Sequence, residues 1–192
     1  MIVAALDHTH EAALAELLIE TVAAGGSVGF MHPLERDVAV AFWRSSLAAA
    51  ARGERVVLGA SDPELLGTLT LLLDMPPNQP HRAELAKLMT TVAARNRGIA
   101  RALVAEAEAT ARVRGKTMIT LDTAEDDGAA GFYAKLGYQR VGVLPDYAYK
   151  PHGGLTGTVL LYKAHRLTGF HHSATSHRAL TRRHAGCSCI AS

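Results

Sequence analysis

The run Arg95-Asn96-Arg97-Gly98-Ile99-Ala100 constrains the fold more tightly than any other stretch of the chain. An apolar, strand-like stretch at 83–89 precedes it, and residues 101–114, with no proline and no internal glycine, read as a helix. A strand that turns through small residues straight into a helix leaves backbone N–H groups unpaired at the helix start. Those donors, the positive end of the helix dipole and two flanking arginines make an anion site suited to a diphosphate. Gly98 and Ala100 carry little or no side chain, so a phosphate can approach the backbone closely. The spacing is Arg-x-x-Gly-x-Ala, distinct from the glycine patterns of dinucleotide folds and P-loops.

With 192 residues, 48% of them hydrophobic and 20% charged, the chain is expected to form one globular domain with a sizeable core. No apolar run approaches the roughly 18 residues of a membrane span. No basic start followed by a long apolar run marks a signal peptide in residues 1–10, so a cytoplasmic protein with no membrane partner is expected. The net charge of +2 is unevenly spread. From Lys163 onward there are five basic residues and no acidic one, whereas residues 1–162 hold 15 basic against 18 acidic. The mildly acidic body points to no nucleic-acid partner. Both cysteines, Cys187 and Cys189, fall in the last six residues, which fits a reducing compartment and excludes a cysteine nucleophile in the core.

Periodicity and breakers divide the chain further. A strand is expected at 2–6 and a helix at 10–24 with Leu14, Leu17, Leu18 and Val22 on its buried face. Gly-Gly-Ser-Val-Gly-Phe-Met at 25–31 reads as a mobile, partly apolar loop, and 35–52 as a second helix. Strands follow at 55–60 and 65–73, then the strand before the arginine run, its helix, and a strand at 118–122. A short helix at 128–136 precedes two last strands, 138–143 and 157–163, separated by a loop rich in Pro, Tyr, His and Gly. Antiparallel strands followed by a βαβ unit make a mixed α/β, or α+β, domain over 1–166. Residues 167–192 form a basic, His-rich tail with the composition of a disordered segment. Its His171, His172, His177, Cys187 and Cys189 match no zinc module in spacing, so no metal site is expected.

The arginine run, the strand order and the segment Gly-Phe-Tyr-Ala-Lys-Leu-Gly-Tyr at 131–138 resemble the GNAT-type N-acetyltransferases. The segments at 25–31, 82–89 (Arg-Ala-Glu-Leu-Ala-Lys-Leu-Met), 121–123 and 162–163 are similar to the tabtoxin-resistance branch of that family, which acetylates an amino-acid-like β-lactam toxin. The resemblance implies a GNAT fold with about seven mostly antiparallel strands and about four helices, and acetyl-CoA as co-substrate. It implies cofactor contacts at Met89, Thr90, Arg95, Asn96, Arg97, Gly98, Ile99 and Ala100, and acceptor contacts at Val28, Gly29, Phe30, Glu84 and Asp122. It departs from the family where Val92-Ala93-Ala94 replaces a common proline, where Asn96 and Ala100 replace glycines, and where Asp126 and Asp127 stand for an asparagine used toward CoA.

The chemistry is consistent with those positions. An alkyl amine with a pKa near ~10 is mostly protonated at neutral pH, so acetyl transfer needs a base, direct or through water. Glu84, placed mid-strand, and Asp122, ending the neighbouring strand, are two carboxylates able to hold an ammonium. A salt bridge from Glu84 to Arg82 or Lys87, or a turn cap for Asp122, accounts for the same residues without function. The resemblance assigns Tyr133 as the acid that returns a proton to the leaving thiolate, while Tyr138 reads as core. A backbone N–H near Met89 or Thr90 is expected to face the thioester carbonyl, where this family splays two strands apart. The expected activity is direct acetylation of a small amino-acid-like amine, such as a toxin or antibiotic, by a monomer or homodimer. Acetylation of a peptide or protein amine, and non-catalytic acyl-CoA sensing, are the alternatives.

Overall fold

A computed structural model describes residues 1–165. The element order is β1 (Ile2–Ala5), α1 (Glu11–Ala23), α2 (Arg36–Ala51), β2 (Arg55–Ser61), β3 (Leu65–Leu72), β4 (Arg82–Thr90), α3 (Ile99–Val113), β5 (Met118–Ala124), α4 (Ala129–Lys135), β6 (Gln139–Tyr149) and β7 (Leu155–Ala164). The strands form one seven-stranded sheet in the order β1-β2-β3-β4-β5-β7-β6. Every neighbouring pair is antiparallel except β4 and β5, which α3 joins as a parallel βαβ unit. This is the mixed α/β architecture of mostly antiparallel strands with one βαβ unit expected from the sequence. The expected tail at 167–192, with its histidines and both cysteines, lies outside the described residues.

Two apolar clusters cover opposite faces of the sheet. Leu103, Val104, Ala107 and Ala111 of α3 and Tyr133 of α4 pack on Leu69, Leu71, Ala83, Leu85, Ile119 and Leu121. On the other face Leu14, Leu18 and Val22 of α1 and Trp43 and Leu47 of α2 pack on Val57 and Met89. The alternation of strand side chains decides which residues meet which helices. Because Ala83, Leu85, Ile119 and Leu121 face α3 and α4, the intervening Glu84, Thr120 and Asp122 lie on the α1/α2 face.

One strand boundary differs from the expectation by six residues. β6 continues past Val143 to Tyr149, through what read as loop. The reason is a wide irregularity: Leu144 pairs with Thr158 and Ala148 with Thr156, so β6 advances by four residues while β7 advances by two. Pro145 sits inside that irregularity, on an edge strand, where the ladder needs no N–H from it, and Asp146 turns with φ 51°.

Beneath α4, a buried charge cluster joins three elements. Glu108 of α3, 6% exposed, accepts from Lys163 Nζ at 2.8 and 2.9 Å and from Arg112 Nη2 at 3.2 Å. The third Lys163 donor goes to the Leu136 carbonyl at 2.8 Å, so all three ammonium protons are used.

Candidate functional site

β4 and β5 pair only at Arg82–Met118, Ala83–Ile119 and Glu84–Thr120. Beyond Glu84 the two strands part, and a cleft of about 980 Å³ opens between them. The gap is a passage through the sheet. Gly25, Gly26, Val28, Gly29, Lys87 and Asp122 line it from the α1/α2 face, and Arg95, Asn96, Gly98, Ile99, Ala100 and Tyr133 from the α3/α4 face.

The α3 end of the passage is built by the arginine run. Asn96 and Gly98 both take positive φ, 62° and 82°, which turns the chain from β4 into the helix; asparagine and glycine tolerate that conformation. The first helical bond runs from Ala102 N–H to Gly98 C=O, so the N–H groups before Ala102 are the open donors of the helix start. Among the described residues no carboxylate pairs with Arg95, Arg97 or Arg101. Open N–H groups, uncompensated guanidiniums and a glycine with no neighbour near its missing Cβ together fit an anionic phosphate chain. Arg97 is not part of the cleft wall, while Arg101, unassigned from the sequence, is.

A bulge shapes β4 where it lines the gap. Thr68 pairs with Met89 and Thr70 with Ala86, so β4 carries one extra residue there, and Lys87 takes φ 54°. The bulge reverses the alternation: Met89, which an unbroken strand would put with Ala83 and Leu85, packs instead among α1 and α2. Further on, Thr91 N–H donates to Leu66 O at 2.9 Å, and the Met89 carbonyl lies against Gly67 of β3. Successive peptide groups in a strand point to opposite sides, so the Thr90 N–H faces the gap rather than β3. Of the two positions expected to offer that donor, the backbone direction favours Thr90.

The two expected carboxylates share a face but are not equivalently placed. Asp122 lines the cleft, and its Oδ2 accepts from Thr158 Oγ1 at 2.9 Å. Glu84 stands third in β4 rather than mid-strand, outside the cleft wall, and its Oε2 accepts from Arg82 Nη1 at 2.9 Å. Arg82 Nη1 also donates to Thr120 Oγ1 at 2.7 Å, so the guanidinium spans β4 and β5 at the last paired position. Arginine and glutamate two apart on a strand share a face, which makes this pair legible from spacing. Tyr133 is 6% exposed; burial, then the Asp127 and Asp122 charges, push its phenol well above the usual range and keep it protonated. Tyr138 is buried, as expected.

Lys87 was not among the expected site residues, because nothing in β-strand alternation announces a bulge. Its Nζ lies 5.8 Å from the Phe30 ring centroid and 5.6 Å from that of Phe42. A Cβ on Gly29 would come within 3.2 Å of it. Burial lowers the Lys87 pKa, and the Asp122 charge partly offsets that. Phe30 touches the site through this contact and packs edge-to-face on Phe42 at 5.1 Å. The loop at 25–35 is tied to the β6–β7 turn: His32 N–H donates to Pro151 O at 2.9 Å, His152 Nε2 lies 3.1 Å from Ala23 O, and the two imidazoles lie 4.6 Å apart, tilted by 49°. Among the described residues, no three His, Cys, Asp or Glu side chains gather as a metal site, and no helix is long and apolar enough to cross a membrane.

A model of the acetyltransferase (GNAT) family matches residues 17–138, more than half the chain. Among solved structures, a ribosomal-protein-alanine N-acetyltransferase from Brucella melitensis superposes with TM-score 0.74 at 18% identity, covering 85% of this chain and 99% of that one. A candidate acetyltransferase from Salmonella typhimurium, solved with its cofactor acetyl-CoA, gives TM-score 0.71 at 16% identity over 85% and 92%. An aminoglycoside 6'-acetyltransferase type Ii gives 0.64 at 25% identity over 85% and 97%.

Proposed function

The chain belongs to the acetyltransferase (GNAT) family, and from that premise we propose that it moves an acetyl group from acetyl-CoA directly to the primary amine of a small amino-acid-like molecule. The observation that carries this reading is the passage between β4 and β5, with open anion donors on one face and Asp122 on the other. A diphosphate at the start of α3 and an amine beside Asp122 would meet at the gap from opposite sides.

Acetyl-CoA supplies the activated acetyl group and a thiolate leaving group. Asp122 holds the acceptor ammonium and takes its proton, directly or through water. We assign the base role to Asp122 rather than Glu84, because Arg82 engages Glu84 away from the cleft wall. Thr158 fixes the Asp122 carboxylate through Oδ2. The Thr90 N–H is aimed where a carbonyl oxygen would gain charge. The Tyr133 phenol, held neutral by burial, keeps a proton for the sulfur. No acyl-enzyme is needed, in keeping with a described chain that contains no cysteine.

The relatives' acceptors range from a ribosomal-protein alanine to an aminoglycoside, so fold likeness does not choose among them. The tie between the 25–35 loop and the β6–β7 turn favours a compact acceptor. The bridge joins the loop whose residues 25–29 line the cleft to the turn that follows residues 147–149 of the same cleft, which favours a small amine over an extended peptide. The amino-acid-like amine, with detoxification or self-resistance as the role, is what the resemblance of residues 25–31, 82–89 and 121–123 to the tabtoxin-resistance branch implies.

Acetyl-CoA at saturation is expected to raise the melting temperature by several degrees, since a ligand bound to the folded state alone stabilises by RT ln(1 + [L]/Kd). Desulfo-CoA should give a similar shift through the same phosphate contacts. Absence of a shift with both ligands at millimolar concentration would remove the acetyl-CoA reading. A shift with no transfer to any amine would favour an acyl-CoA-binding sensor.

A further inference from the structure

Resting on the acetyltransferase reading, we propose that Lys87 reads the carboxylate of the acceptor while Asp122 holds its ammonium, so that the site is built for a free α-amino acid or a similar zwitterion.

The two groups stand on either side of the gap, Lys87 on β4 and Asp122 on β5, both toward α1 and α2. They are not in contact, since no carboxylate lies within 4.0 Å of Lys87 Nζ among the described residues. Opposite charges across an open cleft match a ligand that carries both signs. Had they closed on each other, each would have satisfied the other.

Lys87 reaches this place by an unusual route. Regular alternation would put residue 87 on the α3/α4 face with Ala83 and Leu85; the bulge and a positive φ bring it to the α1/α2 face instead. A positive φ at a lysine is strained backbone, and such strain clusters at ligand-binding sites. Gly29 passes over Nζ without a side chain, leaving the ammonium accessible from the loop. The faces of Phe30 and Phe42 offset part of the cost of a half-buried cation, but neither can replace a counter-ion. A ligand carboxylate would, and its arrival would restore the basicity that burial takes from Lys87. The remaining cations of the cleft wall, Arg95, Arg101 and Lys135, belong to α3, α4 and the loop before α3.

The test compares thiol release from acetyl-CoA with a panel of α-amino acids and with their carboxamides, which keep the amine and lack the negative charge. The two amines differ in basicity, so the quantity read is the acid-to-amide ratio of kcat/KM within each variant. In Lys87→Met this ratio is expected to fall about tenfold or more, as for loss of a charged hydrogen bond. Lys87→Gly suits the positive φ and repeats the test should methionine disturb the bulge, while Lys87→Arg should retain most of the preference. An unchanged ratio, including the case where both acceptors lose turnover together, would overturn the proposal and leave Lys87 a packing residue. A wild-type acid-to-amide ratio no higher than the basicities of the two amines alone give would also overturn it, with acetyl transfer itself intact. No transfer to any amine would overturn both readings.

Discussion

Asp122→Asn is expected to lower kcat/KM for the amine acceptor by about 10²–10⁴-fold while leaving the acetyl-CoA thermal shift unchanged. The substitution keeps the size of the side chain and leaves an oxygen to accept from Thr158 Oγ1, so β5 and β7 should stay in register. What it removes is the negative charge that holds an ammonium and the oxygen able to take its proton. The loss should exceed that of Glu84→Gln, which disturbs the Arg82 pair outside the cleft wall. Steady-state thiol release beside cofactor-dependent melting separates the two effects. Retention of near wild-type turnover in Asp122→Asn would place the base elsewhere, and a larger loss in Glu84→Gln would return that role to Glu84.

The second large effect is on stability. Glu108→Ala is expected to cost about 3–5 kcal/mol, because it strands the Lys163 ammonium without its partner in a half-buried position. In a domain of this size that corresponds to a fall in melting temperature of about 6–20 °C. The double variant Glu108→Ala/Lys163→Met should recover much of the loss, since an apolar replacement of both charges removes the desolvation cost on each side. Denaturant titration of the two single variants and the double variant measures the coupling. Additive losses would mean that the ion pair carries little of the energy and that packing under Leu136 and Tyr138 carries the rest.

The residues differ in how far their roles were legible. The order of elements along the chain and the βαβ unit followed from period and breakers, because Leu14, Leu18, Leu103 and Ile119 obey the spacing of the elements they occupy. Gly98 announced the α3 start, since a chain leaving a strand for a helix there needs a positive φ. Asp122 stood out as a carboxylate ending its strand, and the family resemblance, rather than spacing, assigned it to the site. Glu84 looked like its equal because both strands could be read but not how far they stay paired; the last rung is at Glu84 itself. Lys87 escaped notice because a bulge changes facing without changing composition. The length of β6 escaped for a related reason: Pro145 reads as a break, and here it marks an irregularity within an edge strand.

In the proposed function the β4–β5 passage brings an acetyl thioester and an amine together. Thiol release from acetyl-CoA, followed with and without small α-amino acids, tests it most directly. The expected result is release that requires both the protein and the amine, with one acetylated amine formed per thiol. Release no faster with any amine than without, from protein that acetyl-CoA demonstrably stabilises, would contradict it.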